Sequence, residues 1–326
     1  MEHSPKIAVV GAGMAGIACA CHLKTLGLKP VVFEKSRSIG GRLATRRTAN
    51  SLAFDHGAQY FTARSAEFRA FIDTCGPEAI SAWRPRGGGE PALGGAWLVS
   101  LPGMNGFLKQ AAEGLEVRTE TTVRGIERFK DGWRLHFDGS AGADLFDLVI
   151  VTAPAPQAIA LTGFSPRLQK SLASIRMAPC WALMLALKTS PGIDQDVLRQ
   201  PSPEIAWLAR NSGKSGRSTA VETWVAHADP TWSQDNLELG KDAVLSRLVA
   251  AALACLGSNG SDVMHADVHR WRFARVERAS GEPFLRDETG TVFVCGDGCL
   301  GPRVESAYLS GSALAAFIET LELHRR

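Results

Sequence analysis

Tyrosine occurs only twice in this chain of 326 residues, at Tyr60 and Tyr308, and nowhere does one charge gather into a dense run. Lys and Arg number 36 against 33 Asp and Glu, a net charge of +3 that is too even for a nucleic-acid partner. Long hydrophobic runs are missing as well. The most tempting stretch, 7–23, is interrupted by Gly11, Gly13 and Gly16 and closed by Lys24, so it is too short and glycine-rich for a membrane-spanning helix. There are seven cysteines, an odd number, and the close pairs Cys19/Cys21 and Cys295/Cys299 come without the partner ligands of a zinc site. Reduced thiols in a cytoplasmic protein, with no metal, no nucleic acid and no membrane, are the expectation. No second G-x-G-x-x-G follows residue 100, and no Cys-x-x-x-x-Cys pair stands near the start. A pyridine-nucleotide disulfide reductase is thereby excluded.

What is present is enough for a sizeable core: 45% hydrophobic and 21% charged residues, in a length that suits one large or two interleaved domains. The first informative segment is KIAVVGAGMAGIACACHLKTLGLKPVVFEK, residues 6–35. Ile7–Val10 reads as a short strand. Gly11, Gly13 and Gly16 follow at G-x-G-x-x-G spacing, with Ala12, Met14 and Ala15 between them, and Ile17, Ala20, Cys21 and Leu23 recur at helical spacing. A second strand, 30–33, ends at Glu34 and Lys35. The first glycine makes the tight turn, the second lets a diphosphate approach the backbone, and the third lets helix and strand pack closely. The helix start offers unpaired N–H groups to the diphosphate, and Glu34 can accept from ribose hydroxyls. An acid at that place argues against a 2′-phosphate, which leaves NAD or FAD.

Gly40, Gly41, Arg42 and Leu43 in SIGGRLATRR, just past the second strand, favour FAD. The segment resembles the R-x-G-G-R element of two-dinucleotide-binding flavoproteins, in which Arg42 would lie along the diphosphate and ribityl chain. TVFVCGDG, 291–298, fits the late strand that ends in Gly-Asp in such proteins. Gly296 and Asp297 would then hold the ribityl chain. A helix starting near Arg303–Val304 would turn its N–H groups to the flavin edge where negative charge develops on reduction. Between these anchors the sequence predicts a helix over 104–112, a strand over 115–118, a hairpin turning at Asp131-Gly132 and a buried strand in FDLVIVTAP. Val123 would sit near the adenine.

Taken together, GGRLATRR, FDHGAQYFTARS, PGMNGFL, VTAPAPQA, MAPCWALML, WLARNSGKSGR, WVAHADPTWSQDNLE, HRWRFAR and CGDGCLGPRVESAYLSG resemble bacterial renalase, a flavoprotein family related to the monoamine and polyamine oxidases. The resemblance implies an α/β fold: a two-dinucleotide-binding, Rossmann-like FAD domain (1–60, 102–165 and 278–326) with a discontinuous α+β substrate domain of the amine-oxidase type (61–101 and 166–277). It implies non-covalent FAD and oxidation of the 2- and 6-dihydro isomers of NAD(P), with hydride passing to flavin N5 and then to O2 as H2O2. Gly298 departs from the pattern, since family members often carry tryptophan there, and Pro302, Ser306 and Tyr308 are further variants. The glycine-rich segment 85–95 is shorter than the family pattern.

Seven of the eight tryptophans fall in the expected substrate domain, where aromatic walls suit a flat ring stacked on a flavin. Gln59 and Tyr60 in HGAQYF, and His269 and Trp271 in HRWRFA, are the candidates for contact with flavin or substrate. A dihydropyridine loses hydride without a base, because the product is an aromatic pyridinium. An amine must be neutral first, and a lysine near the flavin helps. Lys170, Lys188, Lys214 and Lys241 all have the spacing of surface residues, which favours a dihydronicotinamide dinucleotide as the small-molecule substrate over an amine. A flavin-free binding module of the same fold is a remote alternative.

Overall fold

The structure is a computed structural model that describes residues 4–89, 96–138 and 140–323. The chain divides into two compact units. The first comprises Met1–Gly41, Leu108–Met177 and Val276–Arg326, and the second Arg42–Phe107 and Ala178–Arg275.

The first unit is built on a six-stranded sheet in the order Leu285–Arg286, Val292–Val294, Leu148–Val151, Ile7–Val10, Val31–Phe33, Glu116–Arg118. All neighbours run parallel except Leu285–Arg286, which is antiparallel to its partner. The three central strands are apolar throughout and buried at every residue, as strands covered on both faces must be. The helix Met14–Thr25 follows the first strand and ends before Gly27, whose φ of 80° suits only glycine. It packs against the last helix, Val304–Leu323, at very short range. A Cβ on Gly311 would lie 2.3 Å from the Ala15 carbonyl oxygen, so only glycine lets the two backbones approach.

A three-stranded antiparallel sheet, Val123–Phe129, Gly132–Phe137 and Ser140–Phe146, completes this unit. Its first turn lies one residue earlier than expected. Phe129 pairs with Gly132, so Lys130 and Asp131 make the turn and Lys130 takes a φ of 52°. Gly132 is needed in the ladder, where a Cβ would stand 3.0 Å from the Phe146 carbonyl oxygen.

The second unit centres on a five-stranded sheet in the order Val197–Arg199, Ile205–Arg210, Glu222–Ala228, Arg176–Leu187, Val263–Arg278. The helix Lys241–Leu256 buries Val244, Leu248, Ala252, Leu253 and Leu256 against Trp181, Leu183, Leu185 and Trp224.

The unit boundaries differ from those expected. Residues 42–60 and 102–107 group with the second unit. Phe54 packs there on Met184, Ala186 and Val225, Asn211 Nδ2 donates to the Ala53 carbonyl at 2.9 Å, and Met104 N–H donates to Asp55 at 3.1 Å. Residues 166–177 group with the first unit, because the helix Pro166–Ala173 sets Leu168 and Leu172 into the core formed by Val292 and Leu285. Among the described residues, no helix is long and apolar enough to cross a membrane, and no group of three His, Cys, Asp or Glu side chains could hold a metal ion.

The Gly311 approach generates a prediction. Gly311→Val should lower the unfolding free energy by about 1–3 kcal/mol through overpacking. Urea denaturation of the variant measures this, and an unchanged midpoint would contradict the close approach.

Candidate active site

In the first unit the glycine positions divide into two kinds. Gly11 (φ 110°) and Gly16 are demanded by the protein itself. A Cβ at Gly11 would stand 2.6 Å from Thr152 Oγ1, and one at Gly16 would collide with the Gly11 carbonyl oxygen. Thr152 was not singled out from the sequence, yet its hydroxyl lies 3.0 Å from the carbonyl oxygens of both Val10 and Gly11. Its place directly after a buried strand was the available signal. Gly13 is different. It has φ −82° and ψ −173°, backbone any residue can adopt, and a Cβ there would meet nothing within 4 Å. The space it leaves lies at the start of Met14–Thr25, a helix with no side-chain cap and no acid in its first turn. A helix start of this kind favours an anion.

Glu34 is 5% exposed. Its carboxylate accepts from Ala12 N–H at 2.9 Å and from Ser36 N–H at 2.8 Å, which sets it beside the glycine turn. Gly40 N–H donates to the Ala12 carbonyl at 2.9 Å, and a Cβ on Gly41 (φ 53°) would approach Gly13 Cα to 3.4 Å. Lys35 is exposed, while Met14, Ala15 and Val123 are buried. Asp297, 9% exposed, opens the short helix Asp297–Leu300 after Gly296, whose φ is 150°. Gly296 N–H donates to Ser310 Oγ at 2.8 Å, and that hydroxyl donates on to the Pro283 carbonyl at 2.6 Å. Arg303 directly precedes the helix that begins at Val304, and its Nε–H lies 3.4 Å from Ser306 Oγ. A Cβ at Gly298 would meet only Ile175, at 3.5 Å, so packing does not require glycine there.

In the second unit Arg42 donates from Nη1 to the Ala274 carbonyl at 3.2 Å, Leu43 is buried, and Ala58 N–H donates to the Arg42 carbonyl at 2.8 Å. His269 and Trp271 meet with His56. The His269 and Trp271 rings are 4.3 Å apart, His56 lies 4.8 Å from His269, and Trp271 stacks on His56 at 5.1 Å. Trp271 Nε1–H donates to the His56 carbonyl at 2.9 Å. Burial, then the neighbouring His269 and Arg46, hold His56 down at about 3. Burial, then the Arg46 guanidinium, hold His269 at about 4. His227 is held at about 4, chiefly by burial. All three imidazoles are neutral at pH 7. Tyr60 stacks flat on Trp97, with ring centroids 4.1 Å apart, and lies 5.8 Å from Trp207.

One expectation needs correction. Lys214 does not lie at the surface: its side chain is fully buried, with Nζ 3.3 Å from Asp55 Oδ2 and 3.1 Å from Gln59 Oε1. Gln59 spends its amide internally. Besides accepting from Lys214, it donates to the carbonyls of Asp55 and Gly57, the latter at 3.1 Å. It braces the loop that carries Tyr60. Asp55 sits at the centre of this cluster, also bound by Arg217 at 2.6 Å, Thr45 Oγ1 at 2.7 Å and Met104 N–H. Burial would raise its carboxyl, but Lys214 and Arg217 outweigh it and hold the group at about 2. Burial lowers Lys214 to about 8 against the pull of Asp55.

A largely parallel sheet whose first strand runs through a glycine turn into an uncapped helix, with a buried acid after the second strand and a Gly-Asp after a later one, is the architecture of a dinucleotide-binding protein. Comparison with known proteins carries this further. Residues 9–75 match an NAD(P)-binding Rossmann-like domain, and residues 74–318 match the flavin containing amine oxidoreductase family. The chain belongs to that family and is an FAD-dependent oxidoreductase. Mouse (Mus musculus) renalase is 29% identical over 197 residues, covering 55% of this chain and 57% of that protein. Protoporphyrinogen oxidase 2 of Arabidopsis thaliana is 39% identical over 71 residues, 22% of this chain and 14% of that protein. The chain thus spans only part of these curated relatives. Among solved structures, a putative protoporphyrinogen oxidase from Exiguobacterium sp. 255-15 superposes with a TM-score of 0.79 at 13% identity, covering 98% of this chain and 100% of that one. Cyclohexylamine oxidase from Brevibacterium oxydans IH-35A gives 0.76 at 13% identity, with coverage of 98% and 100%. These likenesses establish a shared fold.

The residues of the first unit fit FAD, because the open space at Gly13 and the uncapped helix start are what a diphosphate needs. Two predictions follow from this geometry. Gly13→Val should cost the fold about 1 kcal/mol or less yet purify with little flavin; full flavin content would place the diphosphate elsewhere. The second concerns Asp55, whose folded pKa lies below its unfolded value. Its contribution, about 2 kcal/mol, is present above about pH 4 and is lost as pH falls to about 2. Lys214→Met should therefore shrink the acid-induced loss of stability in that window, as read by denaturation at stepped pH.

Proposed function

We propose that this protein oxidises the 2- and 6-dihydro isomers of NAD(P) to NAD(P)+ and passes the electrons to O2, with one proton, as H2O2. The likeness to mouse renalase over 55% of the chain is the observation that carries this reading. Bound FAD would supply the hydride acceptor and the path to O2. Gly11–Gly16, Glu34, Gly41, Asp297 and the Val304 helix start, all in the first unit, are proposed to hold it. In the second unit, His56, His269 and Trp271 form an aromatic wall without charge, which suits a ring that becomes a cation as hydride departs. No general base is required, since the product is an aromatic pyridinium. The protein's task is to position the ring and exclude competing chemistry.

One observation favours a second reading, oxidation of a small amine. Lys214 is buried beside the loop of Gln59 and Tyr60, and its pKa is lowered towards neutrality. Against that use, Asp55 and Gln59 already engage its Nζ.

Anaerobic mixing of the flavin-loaded protein with each candidate separates the two. A 6-dihydro-NAD isomer should bleach the flavin within seconds, and common amines should leave it oxidised. His269→Ala should slow the bleaching by about tenfold, the equivalent of one lost hydrogen bond. Rapid bleaching by an amine, with none by any dihydronicotinamide, would overturn the choice.

A further inference from the structure

Arg46 belongs to neither the glycine turn nor the aromatic wall. It lies on the two-residue strand Arg46–Arg47, which pairs with Ala53–Phe54, and its side chain is exposed. Its Nη2 nevertheless stands 3.3 Å from Nδ1 of His269. A guanidinium has only donors and does not lose its proton in proteins. The nitrogen facing it must therefore accept, and an imidazole that accepts at Nδ1 carries its single proton on Nε2. The ring is held in place as well, edge-on to His56 at 88° and to Trp271 at 67°.

We propose that Arg46 is a positioning residue that fixes His269 as the Nε2–H tautomer, so that His269 meets the substrate as an uncharged hydrogen-bond donor, suited to the carboxamide oxygen of a nicotinamide. The proposal rests on the reading that His269 contacts a dihydronicotinamide. Protonating Nδ1 would break the Arg46 hydrogen bond and set an imidazolium against a guanidinium. It would also put a cation directly beside a ring that acquires positive charge as hydride leaves. The guanidinium's own charge is less harmful there, because it is exposed and screened by solvent.

The charged and titratable groups around His269 are consistent with this assignment. Lys241, at the start of its helix, and Asp267, on the same strand as His269, form an ion pair at 2.5 Å and largely cancel. His56, with its ring 4.8 Å away, is a further titratable neighbour, and it is neutral. Asp267 also acts on Arg46, so Arg46, Lys241 and Asp267 together leave one net positive charge near the ring.

The test uses the flavin-loaded protein labelled with 15N in histidine, with His269→Asn to assign the resonances. In the wild type the His269 Nδ1 should show the shift of an unprotonated, accepting nitrogen across the neutral range. In Arg46→Met the protonation midpoint of His269 should rise by about one pH unit, and Arg46→Lys, which keeps a cationic donor, should restore most of the wild-type behaviour. Activity should follow: one unit below the variant's midpoint, kcat/KM should stand about tenfold under its plateau, whereas the wild type at the same pH should lose about twofold. A midpoint that does not move in Arg46→Met, or a wild-type ring protonated on Nδ1, overturns the proposal. If no dihydronicotinamide reduces the flavin while the midpoint still shifts, the substrate assignment falls and the Arg46–His269 pairing stands.

Discussion

An uncapped helix start, kept open by the backbone around it, is the constraint on which the first unit depends. Several contacts hold the turn before Met14–Thr25 in shape. The Thr152 hydroxyl reaches the Val10 and Gly11 carbonyls, Gly16 presses on Gly11, and Glu34 takes the Ala12 N–H. Gly311 lets the last helix close on Ala15. None of these contacts occupies the space at Gly13. The positive potential there comes from peptide dipoles, which no change of pH removes. The proposed FAD site of this chain thus draws on backbone geometry first and on side-chain charge second.

The second unit confronts the opposite problem, because it encloses charge. Asp55, Lys214 and Arg217 are buried together, and desolvating such a set costs about as much as its mutual attraction returns. The cluster is better understood through what it holds. Asp55 takes Thr45, Met104 N–H and both cations, and Lys214 passes the restraint to Gln59. The loop between Asp55 and Tyr60 is pinned at both ends, and its His56 carbonyl in turn receives Trp271. A polar network inside the unit thereby sets the pose of an aromatic group that has no charge of its own.

Legibility followed the range of the interactions. The glycine turn, the strands on either side of it, Glu34 and the helix start at Val304 were legible because each is a local pattern with a local physical reason. Lys214 was not. Its neighbours in RNSGKSGR are small, polar or charged, the composition of a solvated loop, and its burial is decided by Asp55, 159 residues away. Gln59 was read as a candidate contact of flavin or substrate. Its amide bonds within its own loop and also to Lys214, which is too far away in the chain for the motif to show. The hairpin turn was misplaced by one residue. Asp-Gly is a strong local turn signal, but a third strand needed Gly132 in the ladder.

By itself the sequence determined the dinucleotide-binding architecture and the kind of molecule it accepts. Those properties reside in runs of adjacent residues whose backbone preferences need no distant partner. Only the tertiary structure decided which polar side chains face inward, where Arg46 meets His269, and that the imidazoles stand neutral. Those outcomes depend on desolvation and on charges brought close by the fold, and neither quantity exists until the chain has closed around them.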